Sequence, residues 1–272
     1  MRPSFVGFRS IIAMVSPLPI FIISLRRSTE RRRAMQDRLH AAGLEGEFFD
    51  AVDGRVLDRA ASPELAGAAA LSNGEVACYL SHLGVWQRVA ERGLSHALVL
   101  EDDVLLEPDL LPVLQALCAR PLPYDLVRLS SLHKQVGKVV AELPAARKLV
   151  LPLKNPSGTQ GYLLSHDGAR RLLAAYARPE RAIDSAVDNY WRHGLAVVMV
   201  APPVVAEDRQ LDSGIAPSGR ATAQGVRGLR ARWTRSVQKH LAVAAIYRRL
   251  CGKSLWSFWT AKSLSLPVPR HE

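Results

Sequence analysis

The stretch "HALVLEDDVLLE", His96 to Glu107, runs an unbroken apolar segment, Ala97 to Leu100, into three adjacent carboxylates, Glu101, Asp102 and Asp103. Neighbouring negative charges repel one another, so the cluster is costly unless water solvates it or a cation sits on it. Two readings are open. The plain one is a solvated turn in which an aspartate caps the next helix. The chemical one is a divalent ion: Mg²⁺ and Mn²⁺ take oxygen ligands, commonly one or two carboxylates plus phosphate oxygens of a nucleotide. Such an ion relieves the repulsion and neutralises a leaving diphosphate. Two further acids, Asp184 and Asp188 in "IDSAVDNYW", are spaced i, i+4 and so share one face of a short helix. Asp184 falls at its start, where the helix dipole favours the ionised form.

Elements must hold these groups in place. Residues 18–130 alternate strand-like and helix-like patterns, which predicts βαβ units around a parallel sheet. Leu18 to Leu25 reads as the first core strand, followed by a helix capped by Ser28, with Met35, Leu39 and Ala42 on its apolar stripe and Gly43 at its end. Glu47 to Arg55 reads as a short strand closing in a turn at Gly54, and the Ala-rich residues 56–70 as a loop or weak helix. "LSNGEVACYLSHLGVWQRVAERG" predicts a helix: Ser72 and Glu75 form a capping box, Val76, Leu80, Leu83 and Val89 recur at helical spacing, and Gly93 closes it. The acids then follow a strand, at the edge where open α/β sheets collect ligands. Beyond them the pattern predicts a helix from Pro108 to Ala119, a strand over Tyr124 to Ser130, and a Gly-rich loop from Asn155 entering a strand that ends at Ser165. A helix carrying Ala169, Leu172 and Leu173 follows, then a short helix from Ile183 to Trp191 and a last strand in "AVVMVAPPVV".

Apolar residues make up 48% of the 272 and charged residues 22%, which reads as a soluble globular chain. No window offers the roughly eighteen clean apolar residues of a membrane span. The N-terminal apolar segment is broken by Arg9, Pro17 and Pro19, no small-residue cleavage site follows, and residues 1–13 are expected to be a loose extension, Met14 serving equally well as a start. Cys78, Cys118 and Cys251 show neither metal nor disulfide spacing, so they read as buried thiols in a reducing, cytoplasmic setting. The net charge of +11 sits at one end: residues 220–272 carry eleven Lys or Arg and one acid, Glu272.

Six fragments, "IISLRRSTERR", "FFDAVDG", "LSNGEVACYLSHLGVWQ", "ALVLEDDV", "GTQGYLLS" and "IDSAVDNYW", occur in this order and closely resemble glycosyltransferase family 25 over about residues 18–215. That family includes bacterial lipooligosaccharide and lipopolysaccharide galactosyltransferases, with relatives among collagen galactosyltransferases. The resemblance implies a GT-A-like (Rossmann-like) α/β fold with a mostly parallel central sheet, a UDP-sugar donor, usually UDP-galactose, a divalent metal (Mn²⁺ or Mg²⁺), and inversion to a β-linkage. Glu101-Asp102-Asp103 corresponds to the GT-A "DXD" element, with Glu in its first position. On that basis Asp103 is the first candidate ligand, Asp102 the next, for metal or ribose, and Glu101 acts through water. The resemblance also places Ser24 to Arg27 and Asp53 around the uridine, with Arg26 or Arg31 on the diphosphate, where a guanidinium matches phosphate geometry. The plain reading of "RRSTERRR" is a solvated helix face, and that of Asp53 a turn before Gly54.

An inverting transfer to a hydroxyl needs a carboxylate to take the acceptor's proton. Asp184 is the candidate base, with Asp188 binding the acceptor sugar or exchanging roles with it; an N-cap plus an exposed acid is the alternative. Gly158 and Thr159 are candidates for close approach to a sugar, or a plain turn, and Trp191 for stacking on a pyranose, or core packing. Ser81 and His82 are singled out without a role.

The chain thus divides into an extension (1–17), a glycosyltransferase domain (18–218) and a basic amphipathic tail (219–272). In the tail, Val226, Leu229, Trp233 and Val237 share one helical face and Arg232, Arg235 and Lys239 another, with Trp256, Phe258 and Trp259 beyond. Basic helices with aromatics lie in membrane interfaces, which suits an enzyme acting on a lipid-linked saccharide at the cytoplasmic face of the inner membrane. Nucleic acid, or a helix packed on the enzyme's own body, are the alternatives. The rival functions are a sugar-phosphate nucleotidyltransferase and a non-catalytic membrane- or nucleic-acid-binding homologue.

Overall fold

A computed structural model describes residues 18–120, 123–208 and 229–267. The extension, Val226, and the side chains of Leu229, Arg232, Trp233 and Arg235 lie outside the described residues. Strand β1 (Ile20–Ser24) is buried at every position, the mark of a strand covered on both faces. Helix α1 (Thr29–Ala41) buries Met35 and Leu39 and ends before Gly43, whose φ is +68°, although Ser28 makes no side-chain cap bond. Strand β2 (Glu47–Asp50) follows, then a 3₁₀ turn at Pro63–Ala68 and helix α2 (Asn73–Glu91). Its capping box forms as expected: the Glu75 N–H donates to Ser72 Oγ (3.2 Å) and the Ser72 N–H to Glu75 Oε2 (2.9 Å). Strand β3 (His96–Glu101) pairs in parallel with β1, and β1 in parallel with β2.

Past the acids the chain first forms β4 (Val104–Leu106), and the helix expected from Pro108 starts later, as α3 (Leu110–Cys118). Then come β5 (Leu126–Arg128), β6 (Gln135–Glu142), β7 (Lys148–Pro152), β8 (Gly161–Ser165), α4 (His166–Ala175), α5 (Ile183–Val187), β9 (Val197–Ala201) and β10 (Val205–Glu207). Last are α6 (Leu229–Cys251), α7 (Trp256–Thr260) and β11 (Ser263–Leu266). The described residues form a nine-stranded sheet in the order β11-β6-β7-β9-β5-β8-β3-β1-β2, and β10 pairs separately with β4.

The sheet is mixed. Parallel pairing holds at β2-β1-β3 and β5-β9, whereas β8 runs against β3 and β5, and β7 and β11 run against their neighbours. The expected mostly parallel order therefore describes the half built from βα units. The other half joins the β6–β7 hairpin to strands brought in from elsewhere in the chain, β9 beside β7 and β11 beside β6.

The tail is not a separate appendage. Val243, Ala244, Ile246, Tyr247 and Leu250 of α6 and Phe258 of α7 are buried in the main core, and β11 adds to the sheet edge against β6. Residues 243, 246, 247 and 250 follow helical spacing, and burying each large apolar side chain contributes roughly 1.5–3 kcal/mol. The expected boundary at 218/219 lies outside the described residues; within them this apolar stripe finds its partner on the body of the protein. Among the described residues no helix is long and apolar enough to cross a membrane.

Candidate active site

A cavity of about 630 Å³ opens at the carboxyl ends of β1 and β3. Its walls are the turn after β2, one face of α2, the loop before β8, the start of α5, and Glu207 of β10. That volume suits a ligand of small-molecule size. Gly54 lets the turn approach α2: a Cβ there would stand 2.8 Å from the Asn73 carbonyl oxygen. Gly158 has φ +78°, and a Cβ on it would meet the Gln160 side chain at 2.2 Å.

The strand-end acids line this cavity. Ser24 Oγ donates to Asp102 Oδ2 (2.6 Å), which fixes that carboxylate from the neighbouring strand. Arg31 of α1 pairs with both Asp102 and Asp103, at 2.7 Å from the latter. Asp103 Oδ1 is buried and has no hydrogen-bond partner. Burial, and then the charge of Glu101, push the Asp103 carboxyl up to about 7, with Arg31 opposing and Asp102 and Glu207 adding to the rise. Thr159 Oγ1 donates to Glu101 Oε1 (3.2 Å), and the Glu101 N–H to the Gln160 carbonyl (2.8 Å), tying the acid cluster to the loop before β8. Acids crowded together with an orphaned carboxylate oxygen fit a hard divalent cation, so the residues present are compatible with Mn²⁺ or Mg²⁺.

Of the other residues singled out in the sequence, Ser24, Arg31, Asp53, Gly158, Thr159 and Asp184 line the cavity. Asp53 pairs with Arg27 and accepts from the Arg55 N–H (3.0 Å). The Ser185 N–H donates to Asp184 Oδ1 (2.6 Å), as the first turn of a helix allows. Asp188 stands apart. Its side chain is 3% exposed, accepts from Arg128 Nη2 (2.9 Å) and Ser157 Oγ (3.3 Å), and does not line the cavity. Burial raises its carboxyl and the Arg128 charge opposes that rise. An i, i+4 pair shares a helix face, but α5 is so short that Asp184 meets the cavity while Asp188, at its C-cap, meets the buried guanidinium. The expected acceptor-binding or base role of Asp188 therefore gives way to an ion pair. Arg26 is exposed and lies 3.7 Å from Asp50; it is Arg27 that reaches the cavity. Trp191 packs beside the core, with Arg192 over its ring at 5.2 Å, away from the cavity, so stacking on a sugar gives way to packing.

Several cavity residues went unassigned in the sequence. Ser81 accepts the Val52 N–H (2.9 Å) and donates to the Ala77 carbonyl (2.7 Å), so it anchors the turn that carries Asp53. His82, fully buried, brings Nε2 to 3.5 Å from Glu101 Oε1, and Nδ1 lies 3.0 Å from the Tyr162 hydroxyl. Cys78 also lines the wall; burial and the nearby Glu101 hold its thiol well above the ordinary range. A sequence signal did exist for Ser81 and His82, polar neighbours on an otherwise apolar helix face, and for Arg128, a charge inside the apolar run "YDLVRLS". Glu207 and Gln160 gave none.

Residues 18–191 match the family model described as glycosyltransferase family 25 (LPS biosynthesis protein). Among curated relatives, procollagen galactosyltransferase 1-B of Xenopus laevis is 32% identical over 171 residues, 57% of this chain and 28% of that protein. Procollagen galactosyltransferase 2 of Homo sapiens is 30% identical over 171 residues, 57% of this chain and 27% of that protein. A probable inactive glycosyltransferase 25 family member 3 of Bos taurus is 33% identical over 189 residues, 64% of this chain and 30% of that protein. The chain thus spans less than a third of the length of these relatives. A crystal structure of a glycosyltransferase involved in glycosylation of the major capsid of PBCV-1 aligns with 83% of this chain and 99% of that one, at TM-score 0.35 and 10% identity. With the family model covering well over half of its residues, this chain belongs to glycosyltransferase family 25.

Proposed function

We propose that this protein is a metal-dependent, inverting glycosyltransferase of GT-A-like fold that moves a hexose from a UDP-sugar to a saccharide acceptor. Galactose and a β-linkage are the first choice, supported by the galactosyltransferase names of relatives, and a lipopolysaccharide-type acceptor is supported by the family description. The observation that carries the reading is the orphaned, buried Asp103 Oδ1 among the strand-end acids, in a cavity that Asp184 also lines.

Asp103 and Asp102, with Glu101 acting through water, would hold Mn²⁺ or Mg²⁺. When bound, such an ion supplies positive charge to the diphosphate. The chain's own residues do the rest. Ser24 keeps Asp102 oriented, and the Asp53 turn, held by Ser81, closes the uridine side. Arg31 carries a buried Nε–H without a hydrogen-bond partner, a donor available to a diphosphate oxygen. Asp184 accepts the proton of the acceptor hydroxyl as that oxygen bonds to the anomeric carbon from the face opposite the diphosphate. The sugar–phosphate C–O bond breaks with its electrons going to UDP. Gly158 and Thr159 offer the acceptor a wall of backbone and hydroxyl.

A screen of UDP-sugars with Mn²⁺ tests the reading, scoring hydrolysis and transfer. One sugar should be consumed with release of UDP, and Asp103→Ala should abolish Mn²⁺-dependent UDP binding in calorimetry. Equal binding by both proteins would overturn it. Release of pyrophosphate from a nucleoside triphosphate would instead favour nucleotidyl transfer.

We also propose that the protein works at the cytoplasmic face of the inner membrane, against anionic lipid, on a lipid-linked acceptor. With Val243, Ile246, Tyr247 and Leu250 of α6 buried, the contact falls to α7, where Trp256 and Trp259 are 75% and 53% exposed beside the exposed Leu255, between Lys253 and Lys262. Each base near such a surface adds about 1 kcal/mol. Vesicles containing phosphatidylglycerol should retain the protein and release it on Trp256→Ser/Trp259→Ser; unchanged retention would exclude this surface.

A further inference from the structure

His82 has no part in the reaction described above, yet the polar residues behind it leave it little choice of state. Trp86 Nε1–H donates to the Tyr162 hydroxyl (2.8 Å), and that hydroxyl lies 3.0 Å from His82 Nδ1. An indole nitrogen can only donate, so the Tyr162 proton must find another acceptor. The described hydrogen bonds give it His82 Nδ1 alone. All three groups are satisfied only when Nδ1 accepts, and in a neutral imidazole that puts the proton on Nε2. Nε2 is buried, makes no hydrogen bond, and lies 3.5 Å from Glu101 Oε1, at the cavity wall. Any other form strands the hydroxyl hydrogen of Tyr162 in a site where that residue is 1% exposed.

We infer that His82 is a positioning residue for the metal-bearing cluster: the chain Trp86, Tyr162, His82 holds an N–H toward Glu101 and orients its carboxylate. Thr159 Oγ1 donates to the same oxygen, at 3.2 Å. A donor of this kind fixes which lone pairs a carboxylate turns to a cation, as the outer partners of metal sites do. The assignment rests on the metal-dependent reading above. It also decides a rival use of the same atoms. Cys78 Sγ, a ring nitrogen of His82 and a Glu101 oxygen lie within 4.8 Å of one another, a spacing that would let the three hold a metal ion, and Nε2 is the nitrogen that faces Glu101. Direct ligation needs the Nε2 lone pair, which this hydrogen-bond chain fills with a proton.

Three measurements on the full chain test this. Imidazole ¹⁵N spectra, assigned with His82→Gln, should show the Nε2–H tautomer for His82, lost in Tyr162→Phe. Mn²⁺ affinity in the presence of UDP, read from the free-ion electron paramagnetic resonance signal, should weaken about 10- to 100-fold in His82→Leu. His82→Gln should recover most of that loss, because its amide N–H stands near Nε2. Tyr162→Phe, which keeps the ring, should show an intermediate loss and covers the case in which His82→Leu fails to fold. Cobalt binding should give no thiolate charge-transfer band. A cobalt band abolished by Cys78→Ser, or an Nδ1–H tautomer, would overturn the assignment. Wild-type Mn²⁺–UDP binding with an indifferent His82→Leu, or with an indifferent Tyr162→Phe if that variant alone folds, would overturn it too. Wild-type protein that binds no Mn²⁺–UDP would overturn the metal-dependent reading, and this assignment with it.

Discussion

Buried acids stand at both edges of the sheet, and the molecule treats them in opposite ways. At the amino end of β5, Asp125 accepts from Arg171 at 2.8 and 2.6 Å and from the Ala196 N–H at 2.6 Å, while Arg249 of α6 lies 3.5 Å away. Both of its carboxylate oxygens have donors. At the carboxyl ends of β1 and β3, the acids crowd one another, share Arg31, and leave Asp103 Oδ1 without a partner. Carboxylates saturated by arginine and backbone hold a fold together; an under-satisfied one marks a place for something not in the chain. Asp188 shows that the division follows partners rather than location, for it sits near the cavity yet belongs with Asp125.

The contrast breaks most sharply at the two acids of α5. Asp184→Asn should lower turnover by about 10²- to 10⁴-fold with Mn²⁺–UDP binding intact, as loss of a general base does; single-turnover transfer with calorimetry would check it. Asp188→Ala should instead strike stability, because it strands Arg128, 2% exposed, without its counter-charge. Removing one partner of a buried pair costs about 3–5 kcal/mol, so thermal unfolding should move down by roughly 10 °C while the folded fraction still binds donor.

Proton competition sharpens the comparison. The Asp103 carboxyl sits at about 7 in the folded chain against 3.8 for an ordinary aspartate. Between those values the folded state holds a proton that the unfolded state has lost. The contribution of Asp103 to stability is therefore full below about pH 4 and declines as pH rises toward about 7. A cation must displace the same proton, so Mn²⁺ affinity should climb about tenfold per pH unit up to about pH 7 and level off above it. Titrations of Mn²⁺ against pH would show the slope, which Asp103→Asn should flatten. The smallest effect belongs to Arg31→Ala: with the guanidinium gone, nucleotide-free Mn²⁺ affinity should rise severalfold while UDP affinity falls, by calorimetry of each ligand alone.

The elements that the sequence announced are those whose signals are local. The apolar run of β1, the Ser72–Glu75 box and the break from Leu100 to Glu101 are written in neighbouring residues, and each stands where the pattern put it. Three-residue β4 and β10 carry too few residues to show a period, and β11 is a strand because β6 offers an open edge. Of the two tail faces read from the sequence, the described side chains are Val237, which is exposed, and Lys239, half-buried beside Asn155, while the buried stripe is Val243, Ile246, Tyr247 and Leu250; periodicity does not say which surface an apolar stripe will meet. At the site, the charged cluster was legible because adjacent like charges are costly wherever they fold. Glu207, from 104 residues beyond Asp103, was not.

Sequence alone determined the order of strands and helices in the βα half, the acids that close β3, and the acid that opens α5, since propensity, capping and charge repulsion act between near neighbours. Tertiary structure decided which acid is satisfied. It set Arg128 beside Asp188, Arg31 between Asp102 and Asp103, and His82 behind Glu101, because a carboxylate's state depends on the charges and donors that folding brings within a few ångströms, whatever their distance along the chain.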